Sequence, residues 1–273
     1  QGYRRYGGRR ELHGRAWWVI ARAGLLERVR ERRFLALLLF AWSPFIVRAV
    51  QIYVSANFIQ ASFLAPSAGT FREFLDQQSL FLFFVTLYAG SGLIADDRRA
   101  NALQIYLSKP LTRVEYVAGK LLTLTIFLTA VTWVPAMLLL LLQVMFAGST
   151  AFLRDNLFLV PAITVFCSIQ ILVSSLAMLA LSSLSKSRRF VAIMYAGVIF
   201  FAGAMYQVLR AITGSTAWAW ISPEDTFDVL ADAIFRVPAG AVPLPAAILA
   251  VAALTAGSAF ILERRVRAVD IVT

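Results

Sequence analysis

Enzymes need a nucleophile, a base or a metal, and this chain is poor in all three. His13 is the only histidine and Cys167 the only cysteine. Neither a Cys/His metal set nor a Ser/His/Asp or Cys/His catalytic set can assemble within the apolar runs, and no intramolecular disulfide can form. No GxxxxGK[ST] segment occurs, so the backbone nest that cradles nucleotide phosphates is missing, and any ATP energy must come through another chain. No Asp or Glu falls within an apolar run, which withdraws support from a carboxylate enzyme as well. We expect no catalytic residue, no metal ligand and no cofactor on this chain. What it does concentrate is charge beside apolar side chains, in residues 96–120, DDRRANALQIYLSKPLTRVEYVAGK, set between two long apolar runs. The chemistry there is recognition.

Ala102, Leu103, Tyr106, Leu107 and Pro110 recur at steps of three and four, so a helix over this stretch carries one apolar stripe among charges. Pro110 lacks an N–H and disfavours helix at Lys109, which ends the first helix near Ser108 and starts a second about Thr112. The segment reads as a handle with a docking face and a built-in elbow.

Composition dictates what positions that handle. The chain is 60% hydrophobic and 15% charged, well below the roughly 25% charged residues of a soluble domain. With a mean hydropathy of +0.74 it reads as an all-α polytopic membrane protein in contact with the lipid bilayer. Six apolar runs, at 34–54, 79–95, 121–146, 157–184, 190–209 and 243–262, are long enough, or nearly so, to cross about 30 Å of hydrocarbon. The net charge of +11 does not signal nucleic acid, because the basic residues cluster at the ends of these runs. Ten precede Phe34, five lie in the handle, three at 186–189 and three at 264–267, against Arg72, Arg154, Arg210 and Arg236 on the other side. The positive-inside rule therefore places both termini, the handle and the tail 263–273 in the cytoplasm.

Residues 1–15 are Gly-rich and Arg-rich with no apolar pattern, and we expect them to be poorly ordered unless a partner holds them. The chain does not begin with Met, from which we expect the native start to lie upstream. From 16 to 33, Trp17, Trp18, Ala21, Leu25 and Val29 share one helical face while Arg22, Arg28, Arg30, Arg32 and Arg33 lie around the other. That pattern suits an interfacial helix whose arginines reach lipid phosphates; the long basic region and missing cleavage site disfavour a signal peptide. Two outer segments, 55–78 and 210–242, are too long for turns. The second holds a helix at about 223–236, capped by Ser222, opened by Pro223 and acidic in its first turn. Its Phe227, Leu230, Ala231 and Ile234 line one face and Asp228 and Asp232 the other, so it caps a path through the membrane, re-enters the outer leaflet or is an ordinary amphipathic surface helix.

Within the runs, Arg48 either snorkels outward and meets Gln51 or serves a path or gate. Gln143, Gln170 and Gln207 suit interhelical hydrogen bonds. Gly90, Gly92, Ala192, Ala196, Ala253 and Gly257 mark helix contacts, and Pro135 and Pro161 should kink their helices. No internal repeat supports an inverted-repeat carrier.

The handle also resembles the integral membrane permeases of type-2 ATP-binding cassette (ABC) transporters. In that family the loop after the second span reads acidic and basic residues, Gly-Thr-Leu, an apolar run, Ser, a basic residue, Pro, then Arg and Gly-Lys. The matching positions here are Asp97, Arg98, Leu103, Leu107, Ser108, Lys109, Pro110, Arg113, Gly119 and Lys120, with Arg99 and Tyr106 in the same stretch. Asn101 and Ala102 stand where Gly-Thr is usual, and Asn is the non-glycine residue that best tolerates a left-handed backbone. The resemblance implies an N-terminal elbow helix, a cytoplasmic coupling helix, an external helical loop and a multi-pass protein of the cell membrane. It further implies a second permease subunit, as homodimer or heterodimer, and separate ABC ATPase subunits that carry the ATP and Mg, most often for export. A channel or ion-coupled transporter without an ATPase and a non-transporting scaffold are the alternatives. An ion-coupled carrier would show buried Asp, Glu or His. Lipid, peptide, antibiotic, ion and polysaccharide precursor all stay open as substrate.

Overall fold

Hydrocarbon offers no hydrogen-bond partner, so an apolar run that crosses it must satisfy its own backbone and becomes a helix. The computed structural model describes residues 16–58, 66–102, 112–146, 154, 156–237 and 243–266, and among them every regular element is helical. Residues 1–15, the docking residues Leu103, Tyr106, Leu107, Ser108, Lys109 and Pro110, and the tail 267–273 lie outside the described residues.

Helix α1 (Ala16–Val29) precedes six helical stretches long and apolar enough to span a membrane. The first span joins α2 (Arg32–Phe40) to α3 (Ser43–Asn57), the second α4 (Ala68–Gly90) to α5 (Ala95–Arg99), and the third α6 (Arg113–Val131) to α7 (Trp133–Phe146). The fourth, fifth and sixth are α8 (Leu159–Leu184), α9 (Arg188–Thr213) and α11 (Leu244–Arg265). A 3-10 turn (Thr216–Ile221) and α10 (Pro223–Ile234) lie between the last two. Even the shortest span, 22 residues, reaches about 33 Å at 1.5 Å per residue.

Several boundaries differ from the hydropathy reading. The described part of the stretch 55–78 is mostly helix, because Ser67 and Thr70 form a reciprocal capping box that starts α4 well outside its apolar run. Glu73 and Asp76 consequently stand on the helix that leads into the second apolar run, outside the run itself. The first span breaks at Ala41–Trp42, where Pro44 sits in the first turn of α3, and the freed Ala41 carbonyl accepts a hydrogen bond from Gln78 Nε2 at 2.8 Å. Pro135 breaks the third span at Thr132, whose hydroxyl donates to the Leu128 carbonyl at 2.7 Å. Pro161 does not kink its span: it is the third residue of α8, where a missing N–H removes no intrahelical bond.

The core sits between the second, third and fourth spans, whose most apolar stretches of 18 residues are half or more buried, whereas those of the first, fifth and sixth are less than a fifth buried. Val85 and Ala89 of the second span, Leu124 and Leu128 of the third and Met178 and Leu179 of the fourth are fully buried, and Phe34 packs edge-on against Phe127 at 4.7 Å. A Cβ on Gly90 would collide with Met178, so the second and fourth spans meet through a missing side chain. Ala253 and Gly257 mark no such contact: both face outward, and a Cβ on Gly257 would meet nothing within 4 Å. The periodicity that placed them on one face was right about the face and silent about which side it turned to. Gln207 is likewise exposed, while Gln170 donates across to Ser79 Oγ at 2.7 Å.

Candidate functional site

The handle leaves the second span and returns into the third, so what it can transmit depends on how those two ends are held. The second span ends in stages. Helix α4 stops at Gly90, a turn follows, and α5 resumes. The backbone groups orphaned by that interruption are met by one hydroxyl: Ser182 Oγ of the fourth span accepts from the N–H of Ile94 at 3.1 Å and of Ala95 at 3.0 Å, and donates to the Ser91 carbonyl at 3.0 Å. The Arg98 guanidinium donates to the Ser183 carbonyl next to it. Arg98 thereby fastens the departing end of the handle to the fourth span.

The returning end is built by a capping box. Thr112 Oγ1 accepts from Glu115 N at 3.2 Å, and Glu115 Oε2 accepts from Thr112 N at 3.0 Å, which starts α6 directly after the proline. One turn in, Tyr116 is fully buried, and its hydroxyl donates to Asp97 Oδ2 at 2.7 Å. Lys120, one turn further, places Nζ 2.6 Å from the same oxygen. Asp97 on α5 is therefore the clasp between the two ends, with both ion-pair partners less than a fifth exposed. Asn101 follows with φ of 53°, in the left-handed region where Asn is the least strained non-glycine residue. Arg99 and Arg113 are exposed. Arg99 shares a concavity of about 810 Å³ with Asp96, Lys186, Arg188 and Arg189.

Helix α1 is tied to the same region. Gly119 faces it so closely that a Cβ would come within 2.7 Å of the Trp17 carbonyl oxygen and 2.8 Å of Ile20 Cβ. Lys at 120 and Gly at 119 thus have separate duties, the first on α5 and the second on α1. Arg28 does not reach outward as its place in the basic pattern suggests. It is 4% exposed and pairs with Glu31 at 2.8 Å, because the face of α1 that meets α6 also carries Arg28 inward. Tyr88 of the second span donates to the other Glu31 oxygen at 2.9 Å, and Arg188 of the fifth span donates to the Tyr88 carbonyl at 2.8 Å. Burial pushes the Glu31 carboxyl up, but the Tyr88 hydroxyl and the Arg28 charge outweigh it and hold it below its usual range.

At the opposite end of the bundle, Arg48 Nη1 donates to Gln51 Oε1 at 2.9 Å and Nη2 to Glu73 Oε2 at 3.1 Å, linking the first and second spans. Arg72 lies 3.0 Å from Asp228 and 2.8 Å from Asp232, so the acidic face of α10 is pinned to the second span. Ser222 caps that helix by accepting from Asp225 N at 3.3 Å.

Sequence reading missed Ser182, Tyr116, Tyr88 and Glu31 as partners. Only Tyr116 carried a signal, since an aromatic one turn from Lys120 on a helix shares its face.

These features are a six-span helical protein with a braced loop after the second span, and they find a counterpart among known proteins. A search of curated proteins finds no match. A family model described as ABC-2 family transporter protein matches residues 18–265, nearly the whole described chain and all six spans. The chain belongs to the ABC-2 transporter family and is a transmembrane permease component of an ABC transporter.

Proposed function

We propose that this chain is the permease subunit of an ABC exporter of the cell membrane, working with separate ATPase subunits that bind ATP and Mg and with a second permease subunit. The observation that carries the coupling reading is the clasp at Asp97. A loop held at one end only would flex when pushed. This one is held at both ends, to the third span through Tyr116 and Lys120 and to the fourth through Arg98, so displacement of its docking stripe is delivered to three spans together. In this reading Leu103, Tyr106 and Leu107 enter a groove on the ATPase, nucleotide-driven closure of the ATPase pair pulls the clasp, and the path switches sides. Export rests on the resemblance to permeases of this type. The outward faces of the first, fifth and sixth spans serve lipid and the second permease subunit, identical or related. Both termini and the handle lie in the cytoplasm.

Orientation has a direct test. In a Cys167→Ala background, cysteines introduced singly at Ser67 and Ser215 are expected to react with an impermeant thiol reagent added outside the cell, and those at Ser108 and Ser187 are not. The reverse pattern would put the handle on the wrong side of the membrane and end the coupling reading.

Arg48 and Gln51 act in this scheme as a tie between spans. The partner Glu73 is 62% exposed, which limits the pair to about 0–1 kcal/mol. Arg48→Lys should therefore keep coupled ATPase activity within about threefold. Loss of coupling in a well-assembled Arg48→Lys complex would move Arg48 to the path, where an ammonium does not replace a guanidinium fork.

A further inference from the structure

Between the second, fourth, fifth and sixth spans, roofed by α10, lies a cavity of about 280 Å³. Its body is apolar, formed among others by Leu82, Phe83, Phe166, Val173, Ala177 and Leu181. From Gln170 to Leu181 the lining residues of the fourth span descend about 16 Å at 1.5 Å per residue, so the space is long and narrow. Its mouth is acidic: Asp76, Glu224 and Asp228 line it with Arg72 as the one cation among the lining residues. That guanidinium is already shared among Asp228, Asp232 and Asp76. Burial first, and then the neighbouring carboxylates, raise Glu224, and burial raises Asp228 to about 6 against the pull of the Arg72 charge.

A second feature is independent of the charge. Gln170 is 2% exposed and lines the cavity about a turn below the mouth. Its Nε2 donates to Ser79 Oγ at 2.7 Å, and that hydroxyl donates onward to the Leu75 carbonyl at 3.0 Å. Among the described residues nothing donates to its Oε1. A buried amide oxygen left without a donor costs about 1–3 kcal/mol, and a ligand N–H would remove that cost.

We propose that this cavity, within a single permease chain, binds a single-chain amphiphile with a protonated amine, its head between the acidic mouth and Gln170 Oε1 and its alkyl chain along the fourth span. An ammonium brings up to three N–H donors, enough for a carboxylate and Gln170 together. A phosphate or sulfate head would meet three carboxylates and no free cation among the lining residues. The alkyl chain would replace empty apolar space at roughly 25 cal/mol per Å² buried.

The test uses the protein purified from its membranes into phosphatidylcholine nanodiscs, without ATP, so its outcome is separate from that of the coupling reading. A dodecylamine carrying a terminal diazirine is photolysed, and the labelled residues are found by mass spectrometry. Labelling is expected on the cavity face of the fourth and fifth spans, at Val173–Leu181 and Val198–Phe200. Unlabelled dodecylamine should compete. Dodecyltrimethylammonium, which has charge but no N–H, should compete about fivefold less well, and dodecyl sulfate should not compete. Gln170→Leu is expected to lower labelling about fivefold, and Asp76→Asn combined with Glu224→Gln about tenfold. Equal competition by dodecyl sulfate, or label confined to the outward faces of the first and fifth spans, overturns the proposal whether or not the variants fold.

Discussion

Tyr106→Ala combined with Leu107→Asp is expected to leave the permease expressed and inserted but to weaken its hold on the ATPase about thirtyfold or more. In the proposed coupling scheme the stripe of Leu103, Tyr106 and Leu107 lies on a cytoplasmic loop, with no hydrocarbon to bury it. An amphipathic helix with anchors at i, i+3 and i+4 is the form that fits a groove on a partner. Truncating one large central anchor costs an interface about 2 kcal/mol or more, and placing a carboxylate beside it adds desolvation. ATP hydrolysis stimulated by the permease should fall with retention of the ATPase. Arg99→Ala should act more weakly, because an exposed rim charge tunes mainly the association rate. Arg98 is not equivalent to it, since its guanidinium is spent on the Ser183 carbonyl. Wild-type stoichiometry and hydrolysis in the double variant would remove the handle as the coupling element.

The second large effect is expected at Asp97, and it has a different signature. Asp97→Ala removes the one carboxylate that Lys120 and Tyr116 both use, at 2.6 and 2.7 Å, in a place where Lys120 is only 15% exposed. Removing one member of a largely buried pair costs about 3 kcal/mol. The docking stripe is untouched, so the ATPase should still co-purify, while stimulation of ATP hydrolysis by the permease drops about tenfold or more. Asp97→Asn keeps an acceptor for Tyr116 and loses the charge, and should fall between the two. Purified complexes of wild type and both variants, compared for ATPase content and hydrolysis, separate docking from transmission. An Asp97→Ala complex with normal coupling would show that the clasp holds the fold without transmitting anything.

What the sequence could and could not reveal follows from the range of each interaction. The six spans are legible because in hydrocarbon a long apolar run has little choice but helix. Their ends are less so. Helix α4 begins at Ala68 through a Ser67–Thr70 cap, and a cap obeys local hydrogen bonding, not hydropathy. The break before Ser43–Pro44 was readable from the proline and went unread. At the handle, Asn101 was legible because its left-handed φ is a property of one residue. The pairing of Asp97 with Lys120 was not, since it depends on how the intervening loop closes. Ser182, inside an apolar run, is indistinguishable by spacing from Ser174 or Ser175, and only the interrupted turn opposite it gives it a task. Arg28 illustrates the same limit for charge: it belongs to the basic cluster that sets topology, yet it turns inward to Glu31.

We propose above all that ATP hydrolysed on another chain drives this permease through the handle. The most direct test is to express the tagged wild-type chain with candidate ABC ATPase subunits from its own genome, purify it from membranes, and measure bound ATPase and Mg-dependent ATP hydrolysis. One ATPase subunit retained per permease chain and hydrolysis that depends on the handle are expected. A chain that purifies alone and moves solute across liposome membranes without nucleotide would contradict the proposal.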